Sequence, residues 1–258
     1  MSVAIITGAS SGIGAEFARE LAPFVDELWF VARRRERMVE LGEEIGKKYK
    51  VICADLCERS GIEEVRRVLT EEKPSVKYLV NAAGFGDFGA FDEIEEYKVE
   101  RMIDLNSKAL VLITHMTVPY MERGGRIIEL GSGSCFTPLP YFNTYASSKV
   151  FVLHYTKGLK HELKKYGVTA TCFCPGWVET EFLGKATAKE GVTKPSTSIM
   201  KPMLSCKKVV HGCVKAANKG RTMYVTNWYT KLQHLLFKLV PDCLLTNAWI
   251  SLLKKSEK

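Results

Sequence analysis

Tyr145 and Lys149 stand four residues apart in a stretch of helical periodicity, so the phenol and the ammonium share one helix face. A free phenol has a pKa of about 10 and is a poor base at neutral pH. A neighbouring ammonium favours the phenolate and brings that value towards the range where general acid/base transfer is efficient. Ser132 lies thirteen residues upstream of Tyr145, where its hydroxyl could hold a substrate carbonyl oxygen beside the phenol. A second group is Thr7-Gly8-Ala9-Ser10-Ser11-Gly12-Ile13-Gly14, placed between an apolar run and a helical segment. Its glycines permit a tight turn and close approach of a pyrophosphate, whose charge is favoured at a helix N-terminus. Taken singly these patterns are weak. A Tyr and a Lys at this spacing more often mark an exposed amphipathic surface, and a glycine loop can be only a turn; their common register is what argues for chemistry.

That register needs an alternating scaffold. Short Val/Ile-rich runs at 3–7, 27–31, 50–54, 77–81, 125–130, 168–174 and 221–225 alternate with helix-period stretches at 12–23, 34–48, 59–72, 94–122, 144–166 and 205–219. The runs are almost continuously apolar, as strands covered on both faces should be. The pattern predicts an α/β fold, a Rossmann-like doubly wound sheet of about seven parallel strands in a single domain over 1–258, with a C-terminal helical extension. Residues 179–203, with Gly184, Gly191, Pro195 and Pro202, read as a mobile substrate loop with one short helix. In 229–258, Leu232, Leu235, Leu236, Leu239 and Val240 make one apolar helix face, and Leu244, Leu245, Ala248, Trp249, Leu252 and Leu253 a second before the Lys254-Lys255 tail.

Composition narrows the classes. The chain of 258 residues is 46% hydrophobic and 26% charged, with a formal net charge of +8. Its cations are scattered among acids, with no basic tail or aromatic-interleaved stripe, which argues against a nucleic acid partner. Eight cysteines, with no CxxC pair and several inside apolar runs, read as free buried thiols of a reducing compartment. His115 and His154 have no metal-ligating partner at useful spacing, so no metal is expected. Neither a signal peptide nor a membrane span is evident, and a cytoplasmic location is expected.

The spacing of the glycine loop, TGxxxGIG rather than GxGxxG, resembles the short-chain dehydrogenase/reductase family, and the resemblance continues along nearly the whole chain. Asp55-Leu56 follows the third strand, where the family has an adenine-contacting Asp. Asn81-Ala82-Ala83-Gly84 is similar to its NNAG, with Ala82 at the variable second position. Asn106 matches its structural and catalytic Asn, Ser132 and Tyr145-Ala146-Ser147-Ser148-Lys149 its Ser and YxxxK, and Pro175-Gly176-Trp177-Val178-Glu179-Thr180 its PGxVxT. The resemblance implies an oxidoreductase that moves a hydride to or from a nicotinamide while Tyr145 exchanges a proton with an alcohol. Lys149 would also bind the nicotinamide ribose, and Asn106 would hold a water extending the proton relay. Cofactor contacts are expected from Gly8, Ser10, Ser11, Gly12, Ile13, Gly14, Asp55, Leu56, Asn81, Ala82, Gly84, Tyr145, Lys149, Pro175, Gly176, Val178 and Thr180.

At the end of the second strand, Ala32 stands where an NAD-preferring site presents an Asp or Glu, and Arg33, Arg34 and Arg35 follow. Cations at a helix start are unfavourable without an anion, so Arg33, with Arg34, Ser10 and Ser11, is expected to meet a 2′-phosphate and to favour NADP(H) over NAD(H). Phe85, Phe88, Cys135, Phe136, Pro138, Leu139, Tyr141, Phe142, Trp177 and Phe182 are expected to wall the substrate side, with Ser132, Ser134 and Tyr145 as its polar contacts. An apolar wall suits a bulky ketone or secondary alcohol such as a steroid or bile acid. Two other readings are a β-ketoacyl thioester reductase of lipid metabolism, docking an acidic carrier on its basic surface, and a nicotinamide-binding redox sensor. The C-terminal helices are expected to form a lid or a subunit contact in preference to a membrane-surface anchor. The helices 94–122 and 144–166 are expected to pair in a homodimer or homotetramer.

Overall fold

A computed structural model of the chain describes residues 1–186, 193, 195, 200 and 203–256. Seven strands, β1 (Ser2–Thr7), β2 (Glu27–Ala32), β3 (Tyr49–Cys53), β4 (Ser75–Asn81), β5 (Met121–Leu130), β6 (Thr169–Cys174) and β7 (Met223–Val225), form one sheet. Their order is β3-β2-β1-β4-β5-β6-β7, and every neighbouring pair is parallel. The expected doubly wound sheet is therefore present. Its order reverses between β1 and β4, which opens a crevice at the carboxyl ends of those strands, where ligands of such sheets bind.

Helices cover both faces. On one side α1 (Gly12–Leu21), α2 (Arg35–Ile45) and α8 (Cys206–Asn218) pack on Ala4, Ile6, Phe30 and Phe173, with Phe17 edge-on to Phe173. On the other, α3 (Arg59–Glu72) turns Ile62, Val65, Val68 and Leu69 onto Ile5, Trp29, Leu79 and Ile127. The latter four side chains are each at most 2% exposed, which is why the strands read as unbroken apolar runs.

The expected helix 94–122 is not continuous. It comprises α4 (Glu96–Ile103), a π-helical turn over Asp104–Ala109, and α5 (Leu110–Thr117). A 3-10 turn containing Pro119 ends it, and β5 starts at Met121, four residues before the predicted strand. Proline cannot continue the helical hydrogen bonding, and the wide π turn carries Asn106. Beyond β5, α6 (Asn143–Glu162) carries Tyr145 and Lys149, both buried.

The short helix expected within 179–203 is α7 (Glu181–Ala186), which includes Gly184. Its entry is fixed by a bridge in which Leu204 N–H donates to Trp177 and Glu179 N–H donates to Leu204. Gly191 and Pro202 lie outside the described residues, as do the side chains of Lys254 and Lys255. The C-terminal extension is two helices, α9 (Trp228–Leu239) and α10 (Asp242–Ser256). All eight cysteines are free; Cys57, Cys135, Cys172, Cys174 and Cys213 are buried, whereas Cys53 and Cys243 are exposed.

Candidate active site

One cavity of about 830 Å³ runs from the glycine loop and the end of β2, past Tyr145, to the inner sides of α9 and α10. Gly8 adopts φ +69°, and a Cβ there would lie 2.8 Å from the Ala83 backbone; only glycine fits between β1 and β4 at this point. Ser10, Ser11, Gly12, Ile13 and Gly14 continue the wall around the N-terminus of α1. Asp55, Leu56, Ala82, Gly84, Pro175, Gly176, Val178 and Thr180 also line the cavity. Bare backbone at a helix start, with a carboxylate at the far rim, fits an adenine dinucleotide. These residues would hold that group.

Asn81 does not line the cavity. Its amide donates to Thr114 at 2.8 Å, and the Thr114 hydroxyl donates to Glu129 at 2.8 Å, all inside the protein. A strand residue alternates faces, and Asn81 points to the interior while Gly84 beyond it meets the crevice. Asn106 is likewise fully buried behind the wall. Its amide nitrogen donates to Phe85 O at 2.9 Å and to Ser148 at 3.0 Å, and its oxygen accepts from Phe85 N. A Cβ on Gly84 would come within 2.8 Å of Asn106 Oδ1 and 3.4 Å of Lys149 Nζ, so both side chains crowd one bare glycine.

Lys149 Nζ donates to Leu130 O at 2.7 Å and lies 5.5 Å from the centroid of the Tyr145 ring. Ser132 accepts from Ser134 N–H at 3.2 Å, which leaves its own proton to donate. Burial pushes the Tyr145 phenol well above its ordinary value, with a hydrogen bond to Ser132 opposing it, and burial pushes Lys149 down to about 8. Desolvation of the phenolate therefore sets the direction here, opposite to the lowering expected from Lys149. At neutral pH this pair presents a protonated phenol, a proton donor for a carbonyl oxygen held at Ser132.

The adenosine end differs in one detail from the sequence expectation. Ser10 and Ser11 gather on Arg34, not on Arg33: Arg34 donates to Ser10 at 3.1 and 3.2 Å and to Ser11 at 2.6 Å. Arg33 lines the same cavity but is turned towards Asp55 at 3.6 Å, with 69% of its side chain exposed. Arg101 also holds Asp55, whose partial burial is outweighed by the Cys57 amide and Arg101, leaving its carboxyl below the usual range. Glu181, on α7, receives Arg34 at 3.2 Å and Arg37 at 2.5 Å, and these guanidiniums hold its carboxyl at about 2. Arg37, Arg101 and Glu181 were missed by the sequence reading. Arg37 shares a helix face with Arg34 by its i, i+3 spacing, which is the one signal that could have found it.

On the substrate side Phe85, Phe136, Leu139, Phe142, Trp177 and Phe182 line the cavity, as does Ser134. Phe88, Cys135, Pro138 and Tyr141 do not. Phe88 stacks behind Phe142 at 3.9 Å, and Cys135 points to Cys174 in the core. The hydroxyls of Ser134 and Thr137 are buried and have no hydrogen-bond partner among the described residues. Both residues border the cavity. From the C-terminal helices Tyr229, Thr230, Gln233 and Phe237 of α9 and Leu245, Ala248, Trp249 and Leu252 of α10 close it. The apolar face of α9 turns outward: Leu235 is 55% and Leu239 74% exposed.

Residues 2–191 match the family described as short chain dehydrogenase. Sulfoacetaldehyde reductase 2 of Chromohalobacter salexigens is 36% identical over 186 residues, covering 70% of this chain and 74% of that protein. Among solved structures, a short-chain dehydrogenase from Sphingobium yanoikuyae in complex with NADPH is 26% identical, with a TM-score of 0.77 over 93% of this chain and 95% of that one. The bulky-bulky ketone specific alcohol dehydrogenase from Comamonas testosteroni is also 26% identical, with a TM-score of 0.72 over 93% of each chain. The glycine loop, the Ser132–Tyr145–Lys149 cluster and these matches together place the chain in the short-chain dehydrogenase/reductase family of oxidoreductases.

Proposed function

We propose that the protein is an NADP(H)-dependent oxidoreductase that interconverts a bulky hydrophobic ketone and its secondary alcohol, with steroids and bile acids as the favoured substrate class. The observation that carries this reading is the cavity itself. Ser132 and Tyr145 stand at its centre, and aromatic and aliphatic side chains close the substrate side from Phe142 to Trp249. A nicotinamide bound here would supply or accept the hydride. Ser132 holds the substrate oxygen, Tyr145 gives or takes its proton, and Lys149 keeps positive charge beside the phenol. The hydroxyls of Ser134 and Thr137, without a partner among the described residues, offer hydrogen bonds to a polar group on an otherwise apolar substrate.

NADP(H) is supported by Arg34, Arg37, Ser10 and Ser11, gathered where β2 ends in Ala32 and not in an Asp or Glu. The NADPH complex of the Sphingobium yanoikuyae relative and the ketone specificity of the Comamonas testosteroni enzyme agree with both halves of the reading. The test is to follow NADPH oxidation and NADP⁺ reduction with steroids, bile acids, acyl thioesters and simple ketones. Turnover on the sterol class is expected, and Tyr145→Phe should lower it by roughly 10²–10⁴-fold while NADPH still binds. Thioester reduction exceeding ketone reduction would replace the substrate reading, and undiminished activity of the Phe variant would remove the mechanism.

A further inference from the structure

The anion site at the adenosine end holds a carboxylate of the chain itself. Glu181 gives one oxygen to Arg34 and the other to Arg37, at 3.2 and 2.5 Å. The remaining nitrogens of Arg34 donate to the hydroxyls of Ser10 and Ser11. A serine hydroxyl that accepts a hydrogen bond still has its proton to donate. The site thus presents two guanidiniums and two hydroxyl protons beside the N-terminus of α1, a donor set suited to a phosphate with several oxygens.

We propose that Glu181 is an internal stand-in for the adenosine 2′-phosphate, and that a phosphorylated cofactor displaces it and loosens α7 from the catalytic centre. This rests on the NADP(H) reading above. A phosphate monoester carries about −1.5 to −2 charge at pH 7. Such a group and a carboxylate repel one another when both are drawn to the same guanidinium. Displacing Glu181 has a consequence because of where it sits. It is the first residue of α7, and the next residue, Phe182, has its ring centroid 5.4 Å from that of Tyr145. The segment before α7 is held at Trp177 and Glu179 by hydrogen bonds with Leu204. Motion released at Glu181 is therefore delivered to the Phe182 wall and not to the Ser132 side. A ligand without the phosphate leaves the latch shut, so the substrate side reads which nucleotide is present.

The experiment uses the full chain and two probes, 2′,5′-ADP and 5′-ADP, with titration calorimetry and backbone deuterium uptake at 181–186. Glu181→Gln, which keeps the size of the side chain and removes its charge, should bind 2′,5′-ADP roughly three- to tenfold more tightly, the loss of its exposed ion pairs with Arg34 and Arg37. Its affinity for 5′-ADP should not change. In the unaltered chain 2′,5′-ADP should raise deuterium uptake in α7 and 5′-ADP should not. In the variant uptake should be high with either probe. If the unaltered chain prefers 2′,5′-ADP but Glu181→Gln weakens it, Glu181 assists the phosphate and the proposal falls while the cofactor reading stands. Equal protection of α7 by both probes would overturn it in the same way. If neither chain distinguishes the probes, the arginine site binds no phosphate and both readings fall together.

Discussion

Glu129 is the residue whose chemistry the reaction does not explain. It is fully buried on β5, accepts from Thr114 at 2.8 Å, and has one carboxyl oxygen with no partner among the described residues. Burial pushes its carboxyl up to about 7, against hydrogen bonds from Thr114 and Asn81 and the charge of Lys149. The unfolded chain loses this proton near the ordinary carboxylate value, so the native state binds more protons between that value and about 7. Stability contributed by the protonated group is complete at low pH and is lost as pH rises through about 7. The full swing is roughly 3 kcal/mol. Glu129→Gln retains an acceptor for Thr114 and removes the titration. It should raise the melting temperature at pH 8 by several degrees and leave it nearly unchanged at pH 4, as thermal scans at both pH values would check. A gain of equal size at both values would show that the effect is packing and not charge. Lys149 carries the opposite sign. Its value is lowered to about 8, so its burial is unfavourable below that pH and relieved above it. Lys149→Met should therefore stabilise the fold at neutral pH while abolishing turnover, and denaturant melts beside activity assays measure both.

The cap helices decide what the site can accept. Trp249 Nε1 donates to Pro140 O at 2.8 Å, and its side chain packs against the apolar cluster that contains Phe142 and Tyr145, so α10 is fastened to the loop before α6. Removing that ring opens one wall of the cavity without touching Ser132 or Lys149. Trp249→Ala should raise KM for a bulky ketone about tenfold, the loss of part of a large buried aromatic contact. KM for a small ketone should move little, and steady-state assays on the two substrates provide the comparison. Much of this scaffold was legible in the sequence, because parallel strands buried on both faces leave short Val/Ile runs that alternate with longer stretches of helical period. The Tyr145–Lys149 pair was legible for the same local reason, since i, i+4 spacing sets a shared face. Three features were not, and each depends on a partner distant in sequence. The π turn at Asn106 accompanies hydrogen bonds to Phe85 and Ser148. That Ser10 and Ser11 meet Arg34 and not Arg33 follows from where α2 begins, a phase that adjacent arginines do not reveal. The apolar stripe of α9 was identified correctly as a stripe, but a helix pattern does not say which way its apolar side turns, and Thr230 and Gln233 face the cavity instead.

At the scale of the molecule, large apolar side chains stand exposed on α4 and α6. Tyr97 and Ile103 on α4 and Val150 and Phe151 on α6 are exposed, the last with its ring stacked on Tyr155. Exposed apolar side chains gathered on one face mark contact surfaces. They lie on the two segments expected to pair between copies, with α4 packed against α6. The net charge of +8 opposes association of like chains, and no described helix is long and apolar enough to cross a membrane. An assembly built on this face must then rest on apolar burial against a charge penalty. Added salt screens the penalty and leaves the apolar term intact or stronger. The protein is accordingly expected to be a homodimer or homotetramer whose dissociation constant falls between 50 mM and 500 mM salt, concentrations set in the experiment to bracket a Debye length of about 10 Å. Phe151→Asp places a charge in the contact and should yield the mass of one chain, or of a smaller assembly, in light scattering. Leu235→Asp on the cap should leave the mass unchanged. A one-chain mass for the unaltered protein at both salt concentrations would eliminate the assembly, and a change of mass caused by Leu235→Asp alone would move the contact from α4 and α6 to the outward face of α9.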